Sequence, residues 1–176
     1  MQENLVGRLL VATPSLVDPN FWRSVVLLLQ HEEAEGAIGL VLNRPTLERV
    51  ETHIPVWGPV AAHPGTVHFG GPVEPQMAIG LATGQMGEST GVPGLHVIDL
   101  ETTPDPDLGA VRIYSGYSGW GAGQLEAEIV EGSWYVVTAS PDDPFDRPEG
   151  QWSRILRRQR GHLALVSTFP DDVSSN

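Results

Sequence analysis

The residues that most suggest catalysis occupy positions 116–120, which read Gly-Tyr-Ser-Gly-Trp. A predicted strand leads into Ser118 and a predicted helix follows, the context in which some hydrolases present a nucleophilic serine. The G-x-S-x-G pattern of those enzymes is not met, because Trp120 stands at the second glycine position. A serine nucleophile also needs an oriented histidine and carboxylate. The segment therefore favours a tight strand-to-helix corner, and a small hydrolase is kept as an alternative function.

A second candidate for chemistry is the glycine pair Gly70-Gly71, which follows a short predicted strand. Successive backbone N–H groups there could cradle an anion, with Arg44 or Arg112 as a nearby cation. The pair lacks the Lys and Ser/Thr of a P-loop and the spacing of a dinucleotide fingerprint, so a turn without a ligand is the favoured interpretation. Polar groups at strand ends nevertheless commonly line pockets. The candidate ligand pocket comprises Asn43, Arg44, Gly70, Gly71 and Ser118.

Metal and cofactor sites are not predicted. The chain has no cysteine, which removes thiolate ligands, thiol nucleophiles and disulfides together. Six histidines are present, at positions 31, 53, 63, 68, 96 and 162, and none forms a compact ligand pattern such as H-E-x-x-H. The acids Asp142, Asp143 and Asp146 lack the spacing of a calcium loop. We interpret them as a solvated loop and a helix cap.

The charge distribution argues against general nucleic-acid binding. Ten arginines and no lysine stand against 22 acidic residues, and the net charge of −12 repels phosphate backbones. Residues 147–160 are locally basic, with five arginines and Glu149 as the sole acid. The favoured interpretation is a helix end that balances nearby carboxylates; the alternatives are a surface for DNA, for an acidic partner or for a second copy. The candidate partner-binding residues are Arg154, Arg157, Arg158 and Arg160.

The first half of the chain predicts strands. Residues 7–12 and 24–30 are dense in leucine and valine, and a polar loop ending at Gly36 leads to the apolar run 38–42, which indicates a hairpin. Because these strands are apolar nearly throughout, both faces should be buried beneath covering helices. Further strands are predicted at 66–69, 77–82, 95–98, 111–117 and 134–138, with a mobile loop at 84–94.

The C-terminal third predicts two helices. One covers residues 124–131, and the other covers 148–160, with Asp146 as its N-cap and Glu149 in a capping-box relation. A final strand is predicted at 162–166 and a polar, frayed tail at 171–176.

Length and composition bound the architecture. With 176 residues, 40% of them hydrophobic, the chain predicts one globular domain over residues 1–170. The longest uninterrupted apolar run, residues 25–29, is far shorter than the roughly 20 residues that a membrane-spanning helix needs. The amino-terminal residues lack the pattern of a secretory signal, so we expect a cytoplasmic protein with no membrane partner.

Several segments together resemble the YqgE/AlgH-like family of bacterial proteins. They are residues 7–14, 18–26, 36–45, 68–73, 116–120 and 123–126, followed by Trp134. The resemblance implies an α+β fold, a single domain with a mixed, largely antiparallel β-sheet system flanked by a few helices. It also implies a family that is often labelled as transcriptional regulators. It supplies no catalytic residue that can be carried over to this chain.

We therefore hypothesise a non-enzymatic regulatory or binding protein that acts through a protein or small-molecule partner. The hydrolase centred on Ser118 is the alternative, and a direct DNA-binding regulator ranks third because of the net charge.

Overall fold

The computed structural model describes residues 3–170, so the predicted tail at 171–176 lies outside the described residues. The described residues contain ten strands: β1 (Arg8–Ala12), β2 (Val25–Glu32), β3 (Gly36–Val41), β4 (Pro45–Arg49), β5 (Thr66–Phe69), β6 (Val73–Thr83), β7 (Glu88–Ser89), β8 (Leu95–Ile98), β9 (Val111–Trp120) and β10 (Trp134–Thr138). The helices are α1 (Val50–His53), α2 (Gln124–Val130), α3 (Gln151–Arg157) and α4 (Gly161–Val166), with 3₁₀ turns at Pro55–Val60 and Asp143–Phe145.

The strands form one sheet around β9. The order is β10-β1-β2-β3-β9-β6-β8-β7, and β4 joins through β5, which also pairs with β9. The β5–β9 pair is parallel, while the other ladders between these strands are antiparallel. The predicted α+β fold with a mixed, largely antiparallel sheet is confirmed. The predicted hairpin is confirmed as well, with Gly36, the first residue of β3, at a φ of +109°.

The strands β1 and β2 are buried on both faces, as their apolar sequences predict. Alternate residues feed two different core clusters because side chains along a strand point to opposite faces. One cluster combines Leu9, Val11, Val25 and Leu27 with Trp152, Ile155, Leu156 and Val166 of α3 and α4. The other combines Leu10, Ala12, Val26 and Leu28 with Trp120, Leu125 and Trp134. The covering helices are therefore α3 and α4 on one face and α2 on the other.

Two carboxylates fasten α2 to the sheet. Glu128 Oε1 accepts hydrogen bonds from the indole nitrogens of Trp120, at 3.1 Å, and Trp134, at 2.9 Å. Glu126 Oε1 lies 2.6 Å from His31 Nε2 on β2, and this hydrogen bond lowers the pKa of Glu126. The helix spans only seven residues, so these polar contacts supplement the small apolar face that it can bury.

The helix predicted at 148–160 is shorter than expected. It begins at Gln151, because Gly150 takes a left-handed φ of +75° and separates the helix from the predicted cap. Asp146 does not cap it: its Oδ2 accepts from Arg154 Nε at 3.1 Å. The helix ends at Arg157, before Arg160, which also has a positive φ of +66°.

Two other predictions were wrong. Residues 162–166 fall in α4 rather than in a strand, because a short apolar run fits either structure and the alanine and leucines there are good helix formers. Residues 84–94 are not simply a loop: they contain β7, which pairs with β8, and the buried Thr90 and Val92. Over residues 3–170, none of the helices has the length and apolar character that a bilayer crossing requires.

Candidate functional site

The connection between β1 and β2 ends in a strained arginine. The backbone N–H groups of Phe21 and Trp22 both donate to the Asp18 carbonyl, at 2.9 and 2.7 Å, which folds the connection into a compact turn. Arg23 follows with a φ of +53°, a left-handed conformation that is uncommon for a residue with a side chain. Strain of this kind persists only where the surrounding structure enforces it, and it clusters at ligand sites.

Asn43 enforces the conformation of Arg23. Its Nδ2 donates to the Arg23 carbonyl at 3.0 Å, and its Oδ1 accepts from the Val25 backbone N–H at 3.0 Å. Asn43 lies just after β3, so its side-chain amide extends the β2–β3 ladder beyond the last backbone pair. The residue predicted as a ligand contact is buried, and its amide positions Arg23.

Arg44 is a half-buried cation. Its guanidinium donates to the carbonyl oxygens of Trp22 and Asn43, and burial lowers the pKa of the side chain below its usual value. Among residues 3–170 it has no carboxylate partner, although 22 acidic residues are present in the chain. Arginine remains protonated in proteins, so its positive charge is only partly compensated by the two carbonyl dipoles.

Two tryptophans complete the surroundings of these arginines. The Arg23 guanidinium carbon lies 4.2 Å from the ring centroid of Trp152 and 5.4 Å from that of Trp22. Both distances fall within cation–π range. Trp152 is fixed by a hydrogen bond of 2.8 Å from its indole nitrogen to the Ala12 carbonyl. Trp22 is 39% exposed, so part of its ring is accessible to solvent.

We call this cavity the arginine cleft. Its volume is about 340 Å³, and its lining residues are Trp22, Arg23, Asn43, Arg44, Pro148, Gly150, Trp152 and Ser153. It lies between the β1–β2 connection, the end of β3 and the start of α3. Guanidinium groups bind carboxylate and phosphate with paired, charge-assisted hydrogen bonds, and the exposed part of the Trp22 ring offers apolar surface beside them. The cleft is therefore suited to a small molecule that combines a carboxylate or phosphate group with an apolar or aromatic portion.

The glycine pair lies elsewhere, inside the sheet. Gly70 N–H donates to the Ser115 carbonyl at 2.8 Å, and the Gly70 carbonyl accepts from the Val41 N–H at 2.9 Å. A Cβ atom on Gly71 would collide with the backbone of Tyr117, which explains the glycine at this crossing of chains. Because the Gly70 N–H is engaged in the sheet, this segment does not form the anion nest that was considered as the alternative to a turn without a ligand.

Ser118 is also part of that crossing. The strand β9 continues through Trp120, so the strand-to-helix corner lies at residues 121–123, directly before α2, and not at Ser118 as predicted. The Ser118 hydroxyl is fully buried and donates to the Gly70 carbonyl at 3.1 Å. The structure thus divides the predicted pocket: Asn43 and Arg44 line the arginine cleft, while Gly70, Gly71 and Ser118 hold strands together.

The histidines do not converge on a centre. Within the described part of the chain, no group of three or more His, Asp or Glu side chains is arranged to hold a metal ion. His31 has both ring nitrogens engaged: Nδ1 accepts from the Leu5 N–H at 3.0 Å, and Nε2 faces Glu126. His68 is buried beside Tyr114 with ring centroids 5.9 Å apart, and burial lowers its pKa to about 4.

The four candidate partner-binding arginines divide into two pairs. Arg158 binds the Asp143 carboxylate with both terminal nitrogens, at 2.7 and 2.8 Å, which raises the pKa of Arg158. Arg154 binds Asp146. Arg157 and Arg160 are exposed and have no ion-pair partner in the region 3–170. Any partner-binding role therefore falls mainly to Arg157 and Arg160.

Sequence reasoning missed the other lining residues of the arginine cleft, among them Trp22, Arg23 and Trp152. A signal was available for two of them, because an aromatic residue and an arginine stand together directly before a buried strand. Their proximity to Asn43 depends on the pairing of β2 with β3, and their proximity to Trp152 depends on the docking of α3.

Comparison with known proteins relates the whole chain to one family. A sequence profile described as AlgH-like matches residues 9–164. A UPF0301 protein of Streptomyces coelicolor is 51% identical over 188 aligned positions, covering 98% of this chain and 96% of the relative. A UPF0301 protein of Mycobacterium marinum is 43% identical and covers 97% and 90% of the two chains.

Two solved structures share the fold. The crystal structure of protein DIP2367 from Corynebacterium diphtheriae superposes with a TM-score of 0.86 at 30% identity, covering 96% of this chain and 94% of that one. The solution structure of the AlgH protein from Pseudomonas aeruginosa has a TM-score of 0.69 at 29% identity and covers 97% and 98%.

Proposed function

The chain belongs to the AlgH-like family, and from that premise we propose that it is a non-enzymatic binding protein for a small carboxylate- or phosphate-bearing molecule, held in the arginine cleft. The observation that carries the proposal is the state of Arg44. A half-buried cation without a carboxylate partner among the described residues is unusual in a protein with a net charge of −12.

An anionic ligand would compensate that charge. Withdrawing a cation from water is costly, and two carbonyl acceptors recover only part of the loss. A carboxylate or phosphate in the cleft would accept the remaining guanidinium hydrogens of Arg44 in a strong, charge-assisted arrangement. The cleft volume of about 340 Å³ matches a metabolite rather than a polymer.

The backbone around Arg23 supports the same proposal. Asn43 holds Arg23 in a left-handed conformation that costs on the order of 1–2 kcal/mol. The conformation directs the guanidinium over the faces of Trp22 and Trp152, and its Nη2 also donates to the backbone carbonyls at positions 169 and 170, at 2.7 and 2.8 Å, so the side chain is held in place before a ligand arrives. Preorganisation of this kind increases affinity because less entropy is lost on binding.

The competing functions have less support. A hydrolase built on Ser118 would need to release a buried hydroxyl from the Gly70 carbonyl. Direct DNA binding is opposed by the net charge, and two of the four candidate arginines already bind carboxylates of this chain. A regulatory role, as the family label suggests, would in our proposal pass through the bound small molecule.

The test compares wild-type protein with Arg44→Gln and with Arg157→Gln in a thermal-shift series. The additives are inorganic phosphate, benzoate, nucleoside monophosphates and common carboxylic acids. At about 100 times its dissociation constant a ligand stabilises by about 2.7 kcal/mol, or about 5 to 10 °C for a chain of this size. Arg157 is exposed and outside the cleft, so Arg157→Gln controls for the loss of one positive charge.

We expect at least one organic anion to stabilise the wild type and Arg157→Gln equally, with most of the shift lost in Arg44→Gln. The exposed Trp22 provides a second readout, since an occupied cleft should change its fluorescence. If every additive acts equally on all three proteins, the cleft is not an anion site and the proposal fails.

A further inference from the structure

A second recess lies on the sheet and shares no lining residue with the arginine cleft. Two adjoining cavities of about 620 and 320 Å³ share Leu29, Gln30, Ile38 and Tyr117 in their walls. They therefore form one continuous groove across β2, β3 and β9, which we call the acidic groove. Its floor is made of aliphatic and aromatic side chains that are only partly buried.

A bulge in β6 builds one wall of the acidic groove. Val73 pairs with Tyr117 and Ala78 pairs with Ser115, so four residues of β6 are excluded from the ladder. Glu74 in this bulge has a left-handed φ of +46°, and Met77 is 46% exposed on the wall. Bulges of this kind re-aim side chains next to binding sites.

The rim of the groove carries a single sign of charge. Its lining residues include the exposed carboxylates of Glu32, Glu35, Glu74 and Glu88, and they include no arginine. Across residues 3–170, none of these four carboxylates has an ion-pair partner. His31, the remaining titratable group on the lining besides Tyr117, already donates to Glu126.

We propose that the acidic groove binds a basic, apolar segment of a partner protein. Aliphatic side chains of that segment would cover Met77, Ile38 and Tyr117, and its lysines or arginines would meet the rim carboxylates. Contiguous exposed apolar surface marks interaction sites, and like charges around it reject acidic segments while attracting basic ones. Acidic ligands are excluded on the same ground, which separates this groove from the arginine cleft.

A second copy of this chain is a poorer occupant. Each copy carries a net charge of −12, so the copies repel one another at long range. Within the most basic stretch of the chain, Arg154 and Arg158 already bind Asp146 and Asp143. A foreign basic segment has neither disadvantage.

The experiment uses fluorescence anisotropy with a labelled peptide of about 12 residues in which leucine and lysine follow an amphipathic helical order. Its matched partner replaces every lysine with glutamate. The groove variant is the triple Glu32→Gln, Glu74→Gln, Glu88→Gln. The control variant is the triple Glu101→Gln, Glu131→Gln, Glu149→Gln, which changes net charge equally at exposed positions outside the groove lining.

We expect the lysine peptide to bind the wild type, with an affinity that falls as salt increases. The groove triple should weaken binding about tenfold and the control triple less than twofold. Both variants lose three negative charges, and only the groove triple loses them next to the bound peptide. Met77→Gln should weaken binding about fivefold without changing the salt dependence. Circular dichroism of each variant confirms that the fold is retained.

Three results would overturn the proposal. The first is equal weakening by the two triples, which would indicate attraction to net charge alone. The second is binding of the glutamate peptide with similar affinity. The third is a concentration-dependent dimer in sedimentation that Met77→Gln abolishes, which would make a second copy the occupant.

Discussion

The substitution Glu128→Ala tests how α2 is held on the sheet. It removes the one acceptor shared by the indole nitrogens of Trp120 and Trp134, at 3.1 and 2.9 Å. Both tryptophans are buried, at 6% and 3% exposure, and pack edge to face with centroids 6.0 Å apart. The two donors therefore cannot both turn to solvent without disturbing this packing.

The expected cost follows from the two orphaned donors. Each buried donor left without a partner costs about 1–3 kcal/mol, and Glu128 itself is half-buried, so water can partly replace it. We expect Glu128→Ala to lower the free energy of unfolding by about 2–4 kcal/mol, or the melting temperature by about 5 to 15 °C. Glu128→Gln keeps an acceptor oxygen and should cost less than about 1 kcal/mol.

The measurement is urea unfolding followed by tryptophan fluorescence, with the indole N–H resonances observed by NMR in the same variants. Glu131→Ala is the matched control, because Glu131 is exposed at the end of α2 and its side chain has no hydrogen bond in the described chain. A loss below about 1 kcal/mol for Glu128→Ala, with an unchanged denaturant slope, would refute the reasoning, because the indoles would then have another acceptor.

Two further predictions concern Asn43 and His68. Asn43→Ala removes both hydrogen bonds that hold Arg23 and Val25, so it should lower the free energy of unfolding by about 2–3 kcal/mol. Asn43→Asp keeps the acceptor for the Val25 N–H and should cost less. Chemical denaturation of both variants checks this order. Burial and the positive charge of Arg112 lower the pKa of His68 to about 4, so the unfolded chain binds more protons than the folded one between about pH 6.5 and 4. The free energy of unfolding should therefore fall by up to about 3 kcal/mol as pH decreases through this window. In a pH series of melting temperatures, His68→Gln should make the melting temperature depend less on pH between 6.5 and 4. An unchanged pH dependence in this variant would contradict the assignment to His68.

Much of the fold could be predicted from the sequence because its signals are local. The apolar runs in β1, β2 and β3 and the glycine at position 36 specify strands and a turn without reference to distant residues. The failures arose where tertiary contacts decide between local alternatives. Asp146 looked like a helix cap, but its carboxylate binds Arg154, and the run at 162–166 fits a strand or a helix until it docks as α4.

The candidate site was predictable only in part for the same reason. Asn43 and Arg44 stand at a strand end, which their sequence position indicates. Their neighbour Trp152 is more than 100 residues away along the chain and reaches the arginine cleft through the packing of α3. The glycines at 70 and 71 could be interpreted as a ligand nest or as a turn without a ligand, because close approach to a ligand and close approach to another strand both require glycine.

The position of β9 in the sheet has a consequence for the order in which the chain can fold. Its ten residues pair with β3, β5 and β6, and β1 pairs with β10, which lies more than 120 residues further along. The two halves of the sheet therefore cannot be joined until residues 111–120 have left the ribosome, and β1 keeps an open edge until residues 134–138 follow. Because such long-range pairings form slowly, we expect folding on a timescale of about milliseconds to seconds. During synthesis the apolar hairpin of β2 and β3 would meanwhile be exposed and would need to be shielded from aggregation.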